Sequence, residues 1–237
     1  MGKKKALYQP RSNEVYKLSR SNIQTFLECP HCFYLEAIYG LKKPPGLPLP
    51  INMAIDSILK KEFDHYRLQA QPHPEVEKIL KIKYTPYGDE PFYQWRKEAS
   101  VFHKETNFNI IGKFDDVWKN PNNNQLFLAD YKSGAVSNSG EFTLHESFRN
   151  QMDIYLWIGK QLHPKFSETT FFYYKKLQKD ESMNKSHFIT EIVEYPADDR
   201  WVEEIIIQIK DTLESSTPPS SNNECKQCQY VQKRKEI

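Results

Sequence analysis

The chain has no apolar run approaching the ~18–20 residues that a membrane helix needs, and its mean hydropathy is -0.74, so it does not read as an integral membrane protein. It lacks a Gly-x-x-x-x-Gly-Lys-[Ser/Thr] loop, which excludes a P-loop motor, and it shows no internal repeat. It also lacks a strong charge bias. The 33 basic residues against 31 acidic ones leave a formal +2, so any affinity for phosphates must come from a local cluster. Met1-Gly2-Lys3-Lys4-Lys5 is basic, but no apolar segment follows it, so a secretory leader is not expected and a reducing, cytoplasmic setting is. In such a setting the four cysteines suit metal ligation better than disulfides.

Aromatic residues are plentiful, at 14% of 237 residues, which separates this polar chain from a disordered one. Two Pro-rich stretches, Lys42 to Pro50 and Ser215 to Asn223, have neither helix nor strand period and read as linkers. Ser19 or Ser21 suits a helix N-cap, Pro30 the first turn of the next helix and Gly40 its end. Ile55, Ile58, Leu59, Phe63 and Tyr66 recur at helical spacing, with Asp56 at the margin of the stripe. Trp95–Phe102, Phe108–Trp118 and Gln125–Lys132 read as three consecutive antiparallel strands. A helix over about Phe142 to Leu162 follows, then strands over Thr169–Leu177 and His187–Tyr195. A last helix opens near Asp198 or Asp199 and runs to about Leu213. The expected fold is α/β, with one mixed central sheet flanked by helices.

Gly112-Lys113-Phe114-Asp115 and Asp130-Tyr131-Lys132 form the most informative pair of segments. Residues two apart on a strand share a face, so Asp130 and Lys132 project together while Tyr131 points the other way. If the preceding strand pairs alongside, Asp115 reaches Asp130. Two converging carboxylates make a hard oxygen site for Mg²⁺ or Mn²⁺, with the Tyr131 carbonyl as a third oxygen. A lysine beside such a site can orient a water or stabilise a developing charge. Asp116 competes with Asp115 for this role, because a bulge would exchange the two acids. An Asp-x-Lys pair on a strand is commonly just a solvated face. Here the apolar run Leu126-Phe127-Leu128-Ala129 places it at the end of a strand buried on both sides.

The ordered set G-K-F-D, D-Y-K-S-G and Gln151-Met152-Asp153-Ile154-Tyr155 resembles the PD-(D/E)XK nuclease superfamily. The likeness is to its RecB-like branch, with the AddB nuclease domain and the CRISPR-associated RecB-like exonucleases. The segment from Ser19 to Pro30, S-x-S-x-x-x-x-F-x-x-C-P, resembles that branch as well. The resemblance implies a restriction-endonuclease-like fold, with Asp115 and Asp130 as metal ligands and Lys132 as the catalytic lysine. Gln151 and Tyr155, four apart on one helical face, would approach the active site and the DNA backbone. Members of the branch often carry a histidine on the helix before the sheet. Here Asn52-Met53-Ala54-Ile55-Asp56 stands at that place, and Asp56 is either a substitute metal ligand or an ordinary helix residue.

Cys29-Pro30-His31-Cys32 and Cys225-Lys226-Gln227-Cys228 offer four thiolates in two C-x-x-C pairs about 190 residues apart. A shared metal would join the N- and C-termini. The spacing suits Zn²⁺, whereas the resemblance implies the [4Fe–4S] staple of the RecB-like branch. The stapled members take one cysteine from the N-terminal segment and three from the C-terminal one, unlike the two and two here. His31 and His65 read as surface or packing residues.

These readings divide the chain into a basic, flexible arm (1–18), a nuclease domain (19–214) and a closing cysteine segment (215–237). The expected activity is Mg²⁺- or Mn²⁺-dependent hydrolysis of DNA, exonucleolytic on single-stranded ends, in repair, recombination or defence. A helicase or another nuclease-complex subunit is the protein partner the resemblance implies. The missing histidine favours an alternative, a non-catalytic DNA- or partner-binding module that kept the fold.

Overall fold

The computed structural model describes residues 6–44, 49–135, 144–180 and 185–236. The Lys3–Lys5 cluster, Pro45 to Pro48 of the first linker and Phe142 lie outside them. In chain order the elements are β1 (Tyr16–Ser19), α1 (Arg20–Glu28), α2 (Pro30–Tyr39), α3 (Pro50–Leu68), α4 (Pro74–Leu80), β2 (Thr85–Pro86), α5 (Glu90–Glu98), β3 (Ala99–His103), β4 (Phe108–Gly112), β5 (Asp116–Lys119), β6 (Leu126–Ala135), α6 (Glu146–Leu162), β7 (Thr169–Asp180), β8 (Lys185–Pro196), α7 (Val202–Glu214) and α8 (Lys226–Lys235). They group into two compact units, one of Met1–Leu47, Ser100–Ile111 and Arg200–Ile237, the other of Pro48–Ala99 and Gly112–Asp199.

The first unit carries a three-stranded sheet in the order β1-β4-β3, with β1 parallel to β4. Ser19 caps α1: its hydroxyl accepts from the Asn22 amide at 3.2 Å, while the Asn22 side chain accepts from the Ser19 amide. Pro30 opens α2 and Gly40 ends it at φ 71°, a left-handed conformation that glycine adopts without strain.

The second unit is built on a five-stranded sheet in the order β2-β5-β6-β7-β8. The β6–β7 pair is parallel and α6 is its crossover, whereas β5–β6 and β7–β8 are antiparallel. The period-2 alternation sorts the side chains of the central strands. Phe127, Ala129, Tyr131, Phe171 and Tyr173 join Leu59 and Phe63 of α3 in one aromatic core. Asp130 and Phe172 face the other way, toward Gln151 and Phe148 of α6. Phe63 sits at the centre of the first layer, stacked on His73 at 4.3 Å and on Trp118 at 5.8 Å between ring centroids, with Tyr173 edge-on at 5.2 Å.

Several expectations are corrected. The single sheet is two sheets, because Phe108–Trp118 breaks into β4 and β5, which belong to different ones. Trp95 to Glu98 are helical rather than extended. Phe92 and Trp95, three apart, share the buried side of α5, and Pro91 starts that helix. The helix expected from about Phe142 begins at Glu146, capped by His145. The last helix opens at Val202, not at Asp198 or Asp199. Asp199 instead pairs with Lys160 at 2.8 Å. Strands β1 and β2 and helices α4 and α8 were not foreseen.

Phe63 is fully buried and touches four aromatic rings, so Phe63→Ala should lower the unfolding free energy by about 3–5 kcal/mol in urea denaturation. A loss under ~1 kcal/mol would show that this layer is not the core of its unit.

Candidate active site and cysteine centre

The candidate site forms where β5 begins and β6 passes it. The last β5–β6 pair is Asp116 with Ala129, so Asp130 to Lys132 run on beyond the start of β5. Asp115 lies in the break between β4 and β5, free of the strand's alternation. Its carboxylate accepts from the Tyr131 amide at 3.3 Å and pairs with Lys60 at 2.9 Å. Because a strand residue directs its N–H and C=O to the same edge, the Tyr131 carbonyl also points past the start of β5.

Asp130 is fully buried. Its Oδ1 accepts from the Gln151 side-chain amide at 2.5 Å. Its Oδ2 pairs with the Lys132 ammonium, so the buried carboxylate is held between an amide and a cation. Lys132 also donates to the Gln151 carbonyl at 3.3 Å and lies over the Phe148 ring at 4.5 Å. Asp56 lies on α3, one turn before Lys60. Lys60, four residues on, bridges it to Asp115, with both contacts at 2.9 Å. A cavity of about 210 Å³ is lined by Asp56, Tyr131, Lys132 and Phe148 among others.

The structure therefore brings Asp115, Asp130, Lys132, Gln151 and the Tyr131 backbone together, with Asp56 joined through Lys60. Tyr155 is placed otherwise. Its ring packs against Phe114 at 5.3 Å and against Gly112, where an added Cβ would come within 2.9 Å of the ring. The glycine of the first motif and the tyrosine of the last thus form one packing contact, which sets α6 against the strand break carrying Asp115. Asp116, the competitor for Asp115, is buried on the opposite face. It pairs with Arg67 and accepts from the Tyr131 hydroxyl. Arg67 donates further to the Tyr87 carbonyl at 2.8 Å and to Asp64, and Asp64 is also held by Arg96 at 2.7 Å. Sequence reasoning missed Lys60 and Arg67. The i,i+4 spacing of Asp56 and Lys60 was the available signal for the first, and Arg67 carried none.

Burial pushes the Asp130 carboxyl from the ordinary 3.8 up to about 7. Lys132 pulls it down and the neighbouring Asp115 pushes it further up. A folded-state value above the unfolded one means that the native chain keeps a proton which the unfolded chain has lost. Stability from this group is therefore present below 3.8 and falls as pH rises toward about 7. A divalent cation bound at the carboxylate reverses the sign, because it needs the ionised form. A divalent cation that binds there should accordingly raise the melting temperature little below pH about 7 and more above it, and Asp130→Asn should abolish that growth. Calorimetric scans with and without metal across this range check it, and a metal effect independent of pH would contradict the assignment.

The cysteine centre lies in the first unit. Cys29 is the N-cap of α2 and Cys32 its third residue; Cys225 and Cys228 hold the same positions in α8. Two helix N-termini therefore converge on the four sulfurs, and their free amides and dipoles favour thiolates. Burial raises Cys225, but the Cys228 and Gln227 amides and the Cys32 thiol outweigh it and bring the group down to about 7. The Sγ atoms of Cys29 and Cys228, Cys32 and Cys225, and Cys32 and Cys228 are each 3.7 Å apart. A tetrahedron of ~2.3 Å Zn–S bonds places its sulfurs about 3.8 Å apart. The donor set thus fits one tetrahedral ion, whereas a four-iron cube, with one cysteine per iron, spreads its ligands further. His31 is turned away, its Nδ1 bonded to the Pro219 carbonyl at 2.7 Å.

A sequence model of the PD-(D/E)XK nuclease superfamily matches residues 50–232. The chain belongs to this superfamily. No curated protein matches it. The crystal structure of SSO0001 is similar over 94% of this chain and 86% of its own, at 14% identity and a TM-score of 0.41, a likeness too distant to bear on function. Membership in a nuclease superfamily implies phosphodiester hydrolysis as the class of reaction. Among the described residues no helix is long and apolar enough to cross a membrane.

Proposed function

We propose that the protein is a Mg²⁺- or Mn²⁺-dependent deoxyribonuclease of the RecB-like branch, acting exonucleolytically on single-stranded DNA ends in repair, recombination or defence in the cytoplasm. The observation that carries this reading is the buried Asp130 carboxylate paired with Lys132, beside Asp115 and the Tyr131 carbonyl edge. Asp115, Asp130 and the Tyr131 carbonyl would hold the ion, with Asp56 in the place of the branch's histidine. A bound divalent cation supplies Lewis-acid activation of a water and of the scissile phosphate. Lys132 orients the attacking water or steadies the charge that develops on the phosphoryl oxygens. Gln151 holds both Asp130 and Lys132 in place, which accounts for a glutamine here without a contact to DNA. Tyr155 acts through packing.

Asp130→Asn keeps the shape but removes the charge needed for the ion, and Lys132→Ala removes the positioning cation. Each should lower cleavage of end-labelled single-stranded DNA by at least about a hundredfold without unfolding. Asp56→Ala should raise the metal concentration needed for half-maximal rate, and Asp56→His should recover part of it. Wild-type rates from Asp130→Asn or Lys132→Ala would refute catalysis and leave a binding module that kept the fold.

For the cysteine centre we infer Zn²⁺ rather than [4Fe–4S], on the 3.7 Å sulfur separations. Protein purified without oxygen should be colourless and carry about one zinc per chain. Cys32→Ser and Cys225→Ser should lose the zinc and melt at lower temperature by similar amounts, since metal bound only by the folded chain adds to its stability. Brown protein with iron and sulfide would overturn the choice of metal.

A further inference from the structure

Beside the cysteine centre, within the first unit, lies a cavity of about 490 Å³, larger than the one at the acidic site. This is the size of a small-ligand pocket. Cys32 and Cys228 form part of its wall, so the centre is one side of the cavity. Leu35, Leu41 and Val231 supply an apolar lining, and Lys42, Lys43 and Lys235 supply three cations. Among the described residues no carboxylate lines it. The acids that do meet these lysines approach from outside, Glu36 at 4.0 Å from Lys42 and Glu28 at 3.5 Å from Lys43. Such part-exposed pairs are worth little. Leu41 and Val231 are 62% and 42% exposed, an apolar surface that a bound group would cover. Helix α8 adds Lys233 and Arg234 to the basic turn that ends at Lys235.

Lys43 also faces the sulfurs of Cys225 and Cys32 and offsets their charge, which leaves Lys42 and Lys235 as the cations open to a small anionic occupant with a flat or apolar part. We propose that the cavity is a nucleotide subsite for single-stranded DNA. One base lies against Leu35, Leu41 and Val231, and the flanking phosphates lie on Lys42 and Lys235. The cysteine-bound metal then does more than close the chain, because it holds α2 and α8, the two helices that form the walls. The proposal rests on the nucleic-acid reading of the superfamily but assigns a site outside the acidic group.

The test uses Asp130→Asn protein without divalent metal, so that nothing is cleaved, and a fluorescent oligo-dT of about 12 nucleotides followed by anisotropy. Adding Lys42→Glu and Lys235→Glu should weaken binding at least about tenfold and reduce the slope of log K against log salt by roughly 1–2. Adding Val231→Glu alone should also weaken binding. Zinc content and melting temperature should be unchanged in all of them, since these side chains are on the rim. Thymidine monophosphate should compete with the oligonucleotide better than inorganic phosphate does. Oligonucleotide binding that all three substitutions leave unchanged would overturn the subsite while leaving the nuclease reading intact. Equal competition by phosphate and thymidine monophosphate would overturn the role of the apolar lining and with it the proposal. No binding of oligo-dT by the Asp130→Asn parent would remove the nucleic-acid reading itself.

Discussion

The geometry of the acidic site depends on a carboxylate that is not in it. Asp116 is completely buried, and an isolated charge there would cost several kcal/mol. It is tolerated because Arg67 of α3 and the Tyr131 hydroxyl meet it from two sides, with Arg67 itself held by the Tyr87 carbonyl and by Asp64 and stacked over Phe92. Asp116 follows Asp115 in sequence, and Tyr131 stands between Asp130 and Lys132. The Tyr131–Asp116 bond therefore fastens β6 to β5 at the register where both candidate ligands emerge, from the face opposite to theirs, and the Arg67–Asp116 pair ties that register to α3. Removing one partner of such a pair costs about 3–5 kcal/mol, so this register is strongly fixed.

A second constraint acts from the helix side. Gly112 leaves room for the Tyr155 ring, and the same helix carries Gln151 one turn earlier, where it holds both Asp130 and Lys132. The spacing of four between Gln151 and Tyr155 thus joins a packing contact to a polar one. The first sets how closely α6 approaches the strand break. The second uses that approach to orient the acid and the lysine, which would otherwise only face each other.

The parts of this arrangement that follow from local rules were legible in the sequence. Alternation along a buried strand put Asp130 and Lys132 on one side and Tyr131 on the other, and the caps at Ser19, Pro30 and Gly40 follow from side-chain and backbone chemistry. The choice between Asp115 and Asp116 was not legible, because it depends on where β5 starts, and that is set by the burial of Asp116 against Arg67, nearly fifty residues away. Trp95 misled for a related reason. Aromatic and β-branched residues suit either a strand or a helix whose buried side repeats every three or four residues, and only packing decides between them. The short β1 pairs with β4, a partner that four residues of sequence cannot indicate.

The cysteine centre shows how two weak signals combine once the fold is known. A C-x-x-C pair alone gives two thiols at adjacent heights. Placed at the N-cap and third position of a helix, the same pair has both sulfurs at the positive end of the helix, among amides without backbone partners. Here two such helix ends face each other, so four groups that would repel one another as thiolates are held within 4.8 Å. Burial opposes that ionisation and raises Cys32 and Cys228, while the helix amides lower Cys225. The opposed shifts within one cluster mean that the amides alone do not ionise all four thiols. A cation among the sulfurs would supply the missing charge, and the same logic applies at Asp130, where burial holds a proton on an acid that a metal ion would release.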